Sequence, residues 1–220
     1  MTRHTVPAER TGRHGPGSLG RVSGEPEIQR VPMTEEEIEA AHIGGAPRLD
    51  GRVELAEYDP AWPARYSREA ATIRGALGSA VLALEHVGST SVPGMPAKPI
   101  LDILLVVADS ADEAAYVPAL EAAGYALAIR EPGWYEHRVL RRPGGEIGVN
   151  LHVLPRGCPE IERMLLFRDR LRGDEADHEL YARTKRDLAG REWRHIQNYA
   201  DAKTEVVEAI IARARRAATA

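Results

Sequence analysis

The sequence predicts an α+β domain in which a mixed β-sheet is followed by a helical C-terminal part. Pro99 to Val107 is apolar at every position but one, which is typical of a central strand covered on both faces. Glu136 to Arg142 and Glu146 to Leu154 flank a Pro-Gly-Gly segment, so they predict a hairpin. From Pro159 onward the pattern is helical. Strands therefore come first and helices last, with local βαβ character.

The first helices and the first strand are predicted from helix-capping residues and from the alternation of apolar and polar side chains. Thr34 and Glu37 have the spacing of a capping box, which predicts a short helix as far as about His42. Residues 53–57 alternate between apolar and polar side chains, as a strand does. Asp59 and Pro60 then supply an N-cap and a first-turn proline for a helix that ends near residue 78.

The central elements surround a turn of small residues. Residues 80–87 are predicted to form a strand that enters this turn, and residues 99–107 form the next strand. Ser110 begins a helix that ends at Gly124, and residues 125–129 return to an extended conformation. After the hairpin, breaks near Gly173 and Gly190 divide the C-terminal part into three helices.

Residues 1–32 differ in composition from the rest of the chain. They contain five Gly, four Pro and five Arg but no aromatic residue, and their formal charge is +2. Such a segment buries too little apolar area to offset the entropy lost on ordering. We therefore expect a disordered extension at residues 1–32 and one folded domain over residues 33–217.

The overall charge excludes some classes of partner. A formal net charge of −4 and a pI near 6.1 argue against a protein that coats long nucleic acids or anionic membranes. Cys158 is the only cysteine, so no intrachain disulfide can form. With no secretory signal pattern at its N-terminus, the chain is expected to be cytoplasmic. The oligomeric state is left open.

The turn before the central strand is the main candidate site. Gly88-Ser89-Thr90-Ser91 can offer backbone amides and three hydroxyls to an anion. Asp102 lies in the apolar strand that follows, where an unpaired charge is costly. Taken singly, the hydroxyls suit a self-capped turn, and Asp102 could be a structural partner of Arg138 or Lys98. Together they indicate a phosphate or metal site.

Two Tyr-Lys pairs recur near the C-terminus. Tyr181 and Lys185, and likewise Tyr199 and Lys203, are four residues apart, so each pair shares a helix face. Both faces could simply be solvated. Short-chain dehydrogenases use the same spacing, but this chain lacks the glycine-rich dinucleotide motif after its first strands, so that class is excluded.

The segment from Glu85 to Gly94, Glu-His-Val-Gly-Ser-Thr-Ser-Val-Pro-Gly, resembles the GrpB family, also called UPF0157. The resemblance extends to Ala97-Lys-Pro-Ile-Leu-Asp-Ile103, Tyr58-Asp-Pro-Ala-Trp62, Leu151-His-Val153, Phe167-Arg-Asp-Arg-Leu-Arg172 and the two Tyr-Lys pairs, and it covers roughly residues 33 to 215. It implies a nucleotidyltransferase-like fold, in which a Gly-Ser turn precedes a strand that bears an Asp-x-Asp pair.

The resemblance implies chemistry that depends on paired carboxylates. In that superfamily the pair holds Mg²⁺ ions that activate the attacking hydroxyl and neutralise the leaving pyrophosphate. Here Asp102 is the first acid, but Leu104 stands at the second position. Asn150 and His152 share one strand face, and His137 lies on the neighbouring strand, so with His86 these side chains could complete the site. Imidazole ligands would suit Zn²⁺ or Mn²⁺ better than Mg²⁺.

The predicted catalytic residues are Asp102, His137 and His152, and the predicted ligands of a divalent metal (Mg, Mn or Zn) are Asp102 and His152. The predicted partner is a nucleotide or another phosphorylated small molecule, held by Gly88, Ser89, Thr90, Lys98, Arg138, Arg168, Lys185 and Lys203. Three functions remain open: nucleotidyl transfer, non-catalytic binding or stabilisation with a degenerate site, and hydrolysis by a histidine-bound metal. Non-catalytic binding or stabilisation is favoured by Leu104 at the second acidic position and by the family's fusion to dephospho-coenzyme A kinase in some actinobacteria.

Overall fold

The computed structural model describes residues 31–143 and 147–219. The predicted disordered extension and the tip of the predicted hairpin therefore lie almost entirely outside the described residues. In chain order, the elements are α1 (Glu35–Ala41), β1 (Arg48–Gly51), α2 (Trp62–Leu77), β2 (Ala83–Val87), β3 (Ile100–Val107), α3 (Val117–Ala122), β4 (Ala126–Glu131), β5 (His137–Arg142), β6 (Gly148–Pro155), α4 (Pro159–Gly173), α5 (Glu175–Ala189), β7 (Trp193–His195), α6 (Ile196–Asp201) and α7 (Thr204–Ala218).

The main sheet has five strands in the order β2-β3-β6-β5-β4. The central pair, β3 and β6, is parallel, and the other neighbours are antiparallel. This mixed sheet with helices on both sides confirms the predicted α+β class. A separate two-stranded sheet joins β1 to β7.

The two faces of the main sheet have different neighbours. Leu101, Ile103 and Leu105 of β3 pack with α2 and α3 in the largest apolar cluster of the domain. Because side chains alternate along a strand, the residues between them point to the opposite face. There Leu104 and Val106 pack in a smaller cluster with residues at and after the start of α4. The candidate site lies on this second face.

The N-terminal capping box is confirmed. The Thr34 side chain accepts a hydrogen bond from the Glu37 amide at 3.2 Å, and the Glu37 carboxylate accepts one from the Thr34 amide at 2.7 Å. The following strand was predicted five residues too late, since β1 covers Arg48–Gly51. Within residues 53–57 only Ala56 makes a β-bridge, to Ala97.

Helix α2 also begins later than predicted. It starts at Trp62, and Asp59 caps the preceding turn by accepting a hydrogen bond from the Ala61 amide at 2.8 Å. The helix predicted from Ser110 is shorter as well: α3 covers Val117–Ala122 and follows a 3₁₀ turn at Glu113–Ala115. Pro60 precedes the N-cap residue Ala61, so it is not the first-turn proline that was predicted. Pro63 of α2 and Pro118 of α3 occupy first-turn positions, which need no amide hydrogen.

The C-terminal part contains four described α-helices rather than the predicted three. The breaks near Gly173 and Gly190 are confirmed, but the segment after Gly190 forms β7, α6 and α7 in succession. Strand β7 pairs with β1, a long-range contact that the local helical pattern does not reveal. None of the described helices is long and apolar enough to cross a membrane.

Candidate functional site: a lysine-lined cleft

The centre of the site is the contact between the Gly-Ser turn and Asp102. Strand β2 pairs with β3 so that Val87 lies opposite Asp102, and the next residue, Gly88, turns the chain across the carboxylate. Gly88 has φ +66°, and a Cβ there would lie 2.9 Å from the Asp102 Cβ. Only glycine fits this close approach without strain. The turn therefore requires glycine for two independent reasons.

Parallel pairing places two polar residues of β6 beside Asp102. Asn150 is in register with Asp102 and donates a hydrogen bond from Nδ2 to Oδ1 at 3.0 Å. The Nε2 atom of His152 lies 3.5 Å from the same oxygen. Burial raises the pKa of Asp102, but His152, Asn150 and Lys98 outweigh that effect and hold the pKa below its ordinary value. Asp102 is therefore a carboxylate at neutral pH.

These residues line a cleft of about 300 Å³ between the sheet and the C-terminal helices. The chain contains three lysines, Lys98, Lys185 and Lys203, and all three line this cleft. Arg141 of β5 is a fourth cation there, whereas Asp102 is the one carboxylate among the described lining residues. When all four of these groups are protonated, their charge of +4 exceeds the −1 of Asp102, which favours an anionic ligand.

The lysines are held in an environment that disfavours their charge. Burial lowers the pKa of Lys185 to about 7 and, with the neighbouring lysines, lowers that of Lys203 to about 6. The pKa of Lys98 is lowered by burial as well. Lys185 donates to the Pro96 carbonyl, and Lys203 donates to the Tyr199 carbonyl at 2.8 Å. A bound anion would restore the charged form of these groups.

Each tyrosine of the two Tyr-Lys pairs lies beneath its lysine. The Lys203 ammonium is 3.6 Å from the centroid of the Tyr199 ring, and the Lys185 ammonium is 5.5 Å from that of Tyr181. Rings in these positions stabilise the protonated form of the lysines by cation–π attraction. The two pairs are thus part of the cleft and not solvated faces.

Two polar groups of the cleft lack partners among the described residues. The Tyr199 hydroxyl is buried without a hydrogen bond, although the side chain lines the cleft. Among the described residues the half-buried Lys98 ammonium makes no hydrogen bond or ion pair either, and the Tyr199 ring lies 6.0 Å from it. An unpaired buried hydroxyl is costly, so the Tyr199 hydroxyl beside the Lys98 ammonium indicates a ligand site.

The Gly-Ser turn contributes less to anion binding than its composition predicts. Gly88, Ser89 and Thr90 do line the cleft. However, the Ser91 amide donates to the Gly88 carbonyl at 3.2 Å, and the Thr90 hydroxyl is paired with His86 Nε2 at 3.0 Å. The turn therefore supports Asp102, while the lysines carry the charge that an anion requires.

The predicted divalent metal can be tested against these donors. Leu104, at the position of the second acid, is fully buried among apolar side chains, so it supplies no ligand. Among the described residues no three His, Cys, Asp or Glu side chains are arranged to hold a metal ion. The donors that remain, Asp102 and His152, face four cationic side chains. They do not fit a protein-built divalent site. Metal binding at Asp102 and His152 stays a prediction.

Two of the predicted histidines adjoin each other at the edge of the cleft. His137 Nε2 lies 3.1 Å from His152 Nδ1, and the two rings are nearly parallel. On its other side, His137 Nδ1 lies 2.7 Å from the carboxylate of Glu131 on β4. Asp102, His152, His137 and Glu131 thus form a line across β3, β6, β5 and β4.

Three other predicted residues lie outside the cleft. Arg138 follows His137 on β5 and therefore points to the opposite face of the sheet, where it pairs with Glu113 at 2.7 Å. His86 also lies on that face and stacks on Tyr66. Arg168 is behind the Gly-Ser turn, where it donates to the His86 carbonyl at 3.1 Å.

Two residues of the site were missed by sequence reasoning. Alternation along β5 puts Arg141 on the same face as His137, so the predicted hairpin contained enough information to select Arg141 in place of Arg138. Glu131 is opposite His137 in the β4–β5 pair. That pairing could not be assigned from alternation alone, because β4 contains an irregularity between Leu127 and Ile129.

Comparison with known proteins identifies the family. A family model described as GrpB protein matches residues 52–213. The chain belongs to the GrpB family. A UPF0157 protein of Halalkalibacterium halodurans is 55% identical over 184 residues, which cover 84% of this chain and 93% of that protein.

A solved GrpB structure supports the fold. The crystal structure of conserved protein GrpB from Enterococcus faecalis matches with a TM-score of 0.67 and 30% sequence identity, covering 76% of this chain and all of that one. Similarity also extends to a protein named dephospho-CoA kinase from Mycolicibacterium paratuberculosis, at 29% identity over 175 residues. That match covers 43% of the mycobacterial protein, so the region similar to this chain makes up less than half of its length.

Proposed function

We propose that this GrpB protein binds a nucleotide or another phosphorylated small molecule in the lysine-lined cleft and transfers its nucleotidyl group. The observation that carries the proposal is the position of the lysines: Lys98, Lys185 and Lys203 are all the lysines of the chain, and they share one cleft. The other 26 basic residues are arginines, from 29 Lys and Arg in total. Lysine, unlike arginine, can be buried in its neutral form and charged when an anion arrives.

The lysines suit the charge changes of nucleotidyl transfer. When the bond to the leaving pyrophosphate breaks, negative charge grows on oxygens that compact ammonium groups can reach. Arg141 adds a permanent charge, because its guanidinium stays protonated although burial lowers its pKa. Asp102, beside Gly88, is available to orient the reacting groups. No step in this scheme passes through a protein-bound metal.

Two similarities support a nucleotide as ligand. The resemblance of the Gly-Ser turn and Asp102 to the nucleotidyltransferase superfamily suggests it at the level of fold. The proteins named dephospho-CoA kinase contain a region similar to this chain, which associates that region with a nucleotide-related activity. The alternative is a non-catalytic binding module, and the burial of Leu104 at the second acidic position favours it.

Calorimetric titration tests the binding proposal directly. The wild-type protein is titrated with ATP, ADP, AMP and inorganic pyrophosphate, each with EDTA and then with Mg²⁺. We expect binding to at least one of these probes. Lys203→Met should weaken binding at least tenfold, while Arg191→Met, which removes an exposed positive charge outside the cleft, should leave it unchanged. Failure of every probe to bind, or equal weakening by both variants, contradicts the proposal.

The Asp102→Asn variant distinguishes phosphate that is bound directly by the lysines from phosphate that is bridged to Asp102 by a metal ion. If phosphate binds the lysines directly, removal of the negative charge should leave binding intact or strengthen it, while nucleotidyl transfer is lost. If a metal bridges Asp102 to phosphate, the same change should abolish binding that depends on Mg²⁺. Release of pyrophosphate from ATP by the wild type, absent in Asp102→Asn, distinguishes an enzyme from a binding module.

A further inference from the structure

A second cavity adjoins the lysine cleft. It has a volume of about 290 Å³ and lies between strands β4, β5 and β6 on one side and helices α4, α6 and α7 on the other. The two cavities meet along six residues that line both of them: Ile129, Val139, His152, Met164, Gln197 and Ala200. A single extended ligand held in the lysine cleft therefore has the second cavity within its reach.

The second cavity has the opposite charge to the lysine cleft. Three carboxylates line it, those of Glu131, Glu160 and Asp201, and Arg163 is the one arginine or lysine among its described lining residues. Arg163 is itself paired with Glu160 at 3.0 Å and with Glu208. Phosphate is therefore repelled from the second cavity and attracted to the lysines. This difference in charge gives a bound phosphate compound one direction, with its non-phosphate end in the second cavity.

Much of the wall of the second cavity is apolar. Val139 and Leu154 of the sheet face the cavity together with Met164 of α4 and Val207 of α7, and the indole ring of Trp134 lies at one side. Apolar and aromatic walls of this kind favour a planar ring system over a flexible polar group.

The polar groups at one end of the cavity offer hydrogen-bond acceptors. Asp201 accepts hydrogen bonds from the Gln197 side-chain amide at 2.7 Å and from the Met33 backbone amide at 3.0 Å. A carboxylate can accept about four hydrogen bonds, so Asp201 retains capacity for further donors. Because Gln197 donates through its nitrogen, its carbonyl oxygen is an acceptor as well. A neutral ring that carries N–H groups at its edge matches both acceptors.

We propose that the second cavity holds the nucleobase of the bound nucleotide, and that Asp201 and Gln197 select bases with an exocyclic amino group, such as adenine and cytosine. This inference rests on the proposed function and names the substrate class of the same site. An amino group donates to these acceptors, whereas the carbonyl oxygen that replaces it in hypoxanthine or uracil would leave acceptor facing acceptor.

Two pairs of nucleotides test the selection in the wild-type protein. ATP and inosine triphosphate, like CTP and UTP, differ by the replacement of an amino group with a carbonyl oxygen. Calorimetric titration compares the four nucleotides and inorganic pyrophosphate, first with EDTA and then with Mg²⁺. We expect the amino-bearing member of each pair to bind at least about fivefold more tightly, as the loss of one hydrogen bond to a buried acceptor predicts. ATP should also bind more tightly than pyrophosphate, which has no base.

Tryptophan fluorescence reports on the second cavity separately. The chain has three tryptophans, and Trp134 lines the second cavity, whereas no tryptophan is among the described residues that line the lysine cleft. ATP should change the fluorescence of Trp134, and pyrophosphate should leave it unchanged. Loss of the ATP signal in Trp134→Phe assigns it to that residue.

A matched pair of variants on α7 tests the location. Thr204 lines the second cavity but is not among the described residues of the lysine cleft, so Thr204→Phe fills the proposed base site alone. It should weaken ATP binding by about tenfold or more while pyrophosphate binds as it does to the wild type. Glu205→Phe adds the same ring at the next residue, which is exposed and outside both cavities, and should change neither affinity.

The outcomes separate this inference from the proposed function. If inosine triphosphate and UTP bind as tightly as ATP and CTP, the selection by Asp201 and Gln197 is wrong. If pyrophosphate binds as tightly as ATP and neither affects Trp134, the base site is wrong while phosphate binding by the lysines stands. Equal weakening of ATP and pyrophosphate by Thr204→Phe also contradicts the base site. If neither pyrophosphate nor any nucleotide binds, the proposed function fails and the base site fails with it.

Discussion

Gly88 and Asp102 are in such close contact that a Cβ at position 88 would lie 3.0 Å from the Asp102 carboxyl carbon. The same glycine has φ +66°, a conformation that side chains disfavour. Gly88→Ala should therefore lower the free energy of unfolding by about 2 to 4 kcal/mol, as backbone strain adds to overpacking. Urea unfolding measures the loss.

Two other glycines separate these contributions. Gly78 has φ +53° but open space around it, so Gly78→Ala carries the strain alone and should cost roughly 1 kcal/mol. Gly75 lies within α2 with nothing nearby, and Gly75→Ala should stabilise by about 0.5 to 1 kcal/mol. A loss in Gly88→Ala no larger than in Gly78→Ala would show that the contact with Asp102 is easily relieved.

The lysines of the cleft should reduce stability in the absence of ligand. Lys203 is charged in the unfolded chain up to its ordinary pKa of 10.5, but in the fold its pKa is lowered to about 6. The unfolded state thus binds more protons between these values, and stability rises with pH in that range. Lys203→Met should raise the free energy of unfolding at pH 7 by about 1 to 3 kcal/mol and flatten its rise between pH 7 and 9. A less stable variant would contradict this expectation.

His86 should make the fold sensitive to mild acid. Burial lowers the pKa of His86 to about 4, against 6.5 for an ordinary histidine. Its contribution to stability is therefore complete above pH 6.5 and is lost as the pH falls toward 4, by up to about 3 kcal/mol. Urea unfolding between pH 7 and 4.5 should show a steeper loss for the wild type than for His86→Gln. Parallel curves would assign the acid sensitivity to other groups.

Asp177 is the ionic link between three C-terminal helices. From α5 it accepts hydrogen bonds from Arg170 Nε at 2.7 Å and Arg213 Nε at 2.8 Å. Asp177→Ala leaves both guanidinium groups short of a partner and should cost about 2 to 4 kcal/mol. Glu179→Ala, which breaks an exposed pair with Arg183 on the same helix, should cost less than about 0.5 kcal/mol. Thermal unfolding of both variants provides the comparison.

Local rules predicted the parts of this fold that depend on neighbouring residues. The capping box at Thr34 and the breaks at Gly173 and Gly190 were found because each depends on a few adjacent side chains. The apolar run of β3 likewise predicted a strand covered on both faces. Strand β7 was missed because its partner, β1, lies more than 140 residues earlier in the chain.

The site was predicted less completely than the fold. Asp102, Gly88 and the lysines were selected, but Arg138 was chosen although alternation along β5 places it away from His137. The composition holds a stronger signal, because the chain has only three lysines among its 29 lysine and arginine residues, which sets those three positions apart. Glu131 depended on the register of β4 against β5, which an irregular strand conceals.

The parallel pairing of β3 with β6 has a consequence for how the protein folds. Pairing of strands that are neighbours in sequence, such as β4 and β5, closes only a short loop. The contact between Asp102 and Asn150 instead closes a loop of 48 residues. Closing the longer loop costs more chain entropy, and pairing of distant segments slows folding. Asp102 and His152 come together only when β3 pairs with β6. During refolding, ligand binding should therefore return as a late kinetic phase, after the spectroscopic signals that report formation of the β4–β5 hairpin.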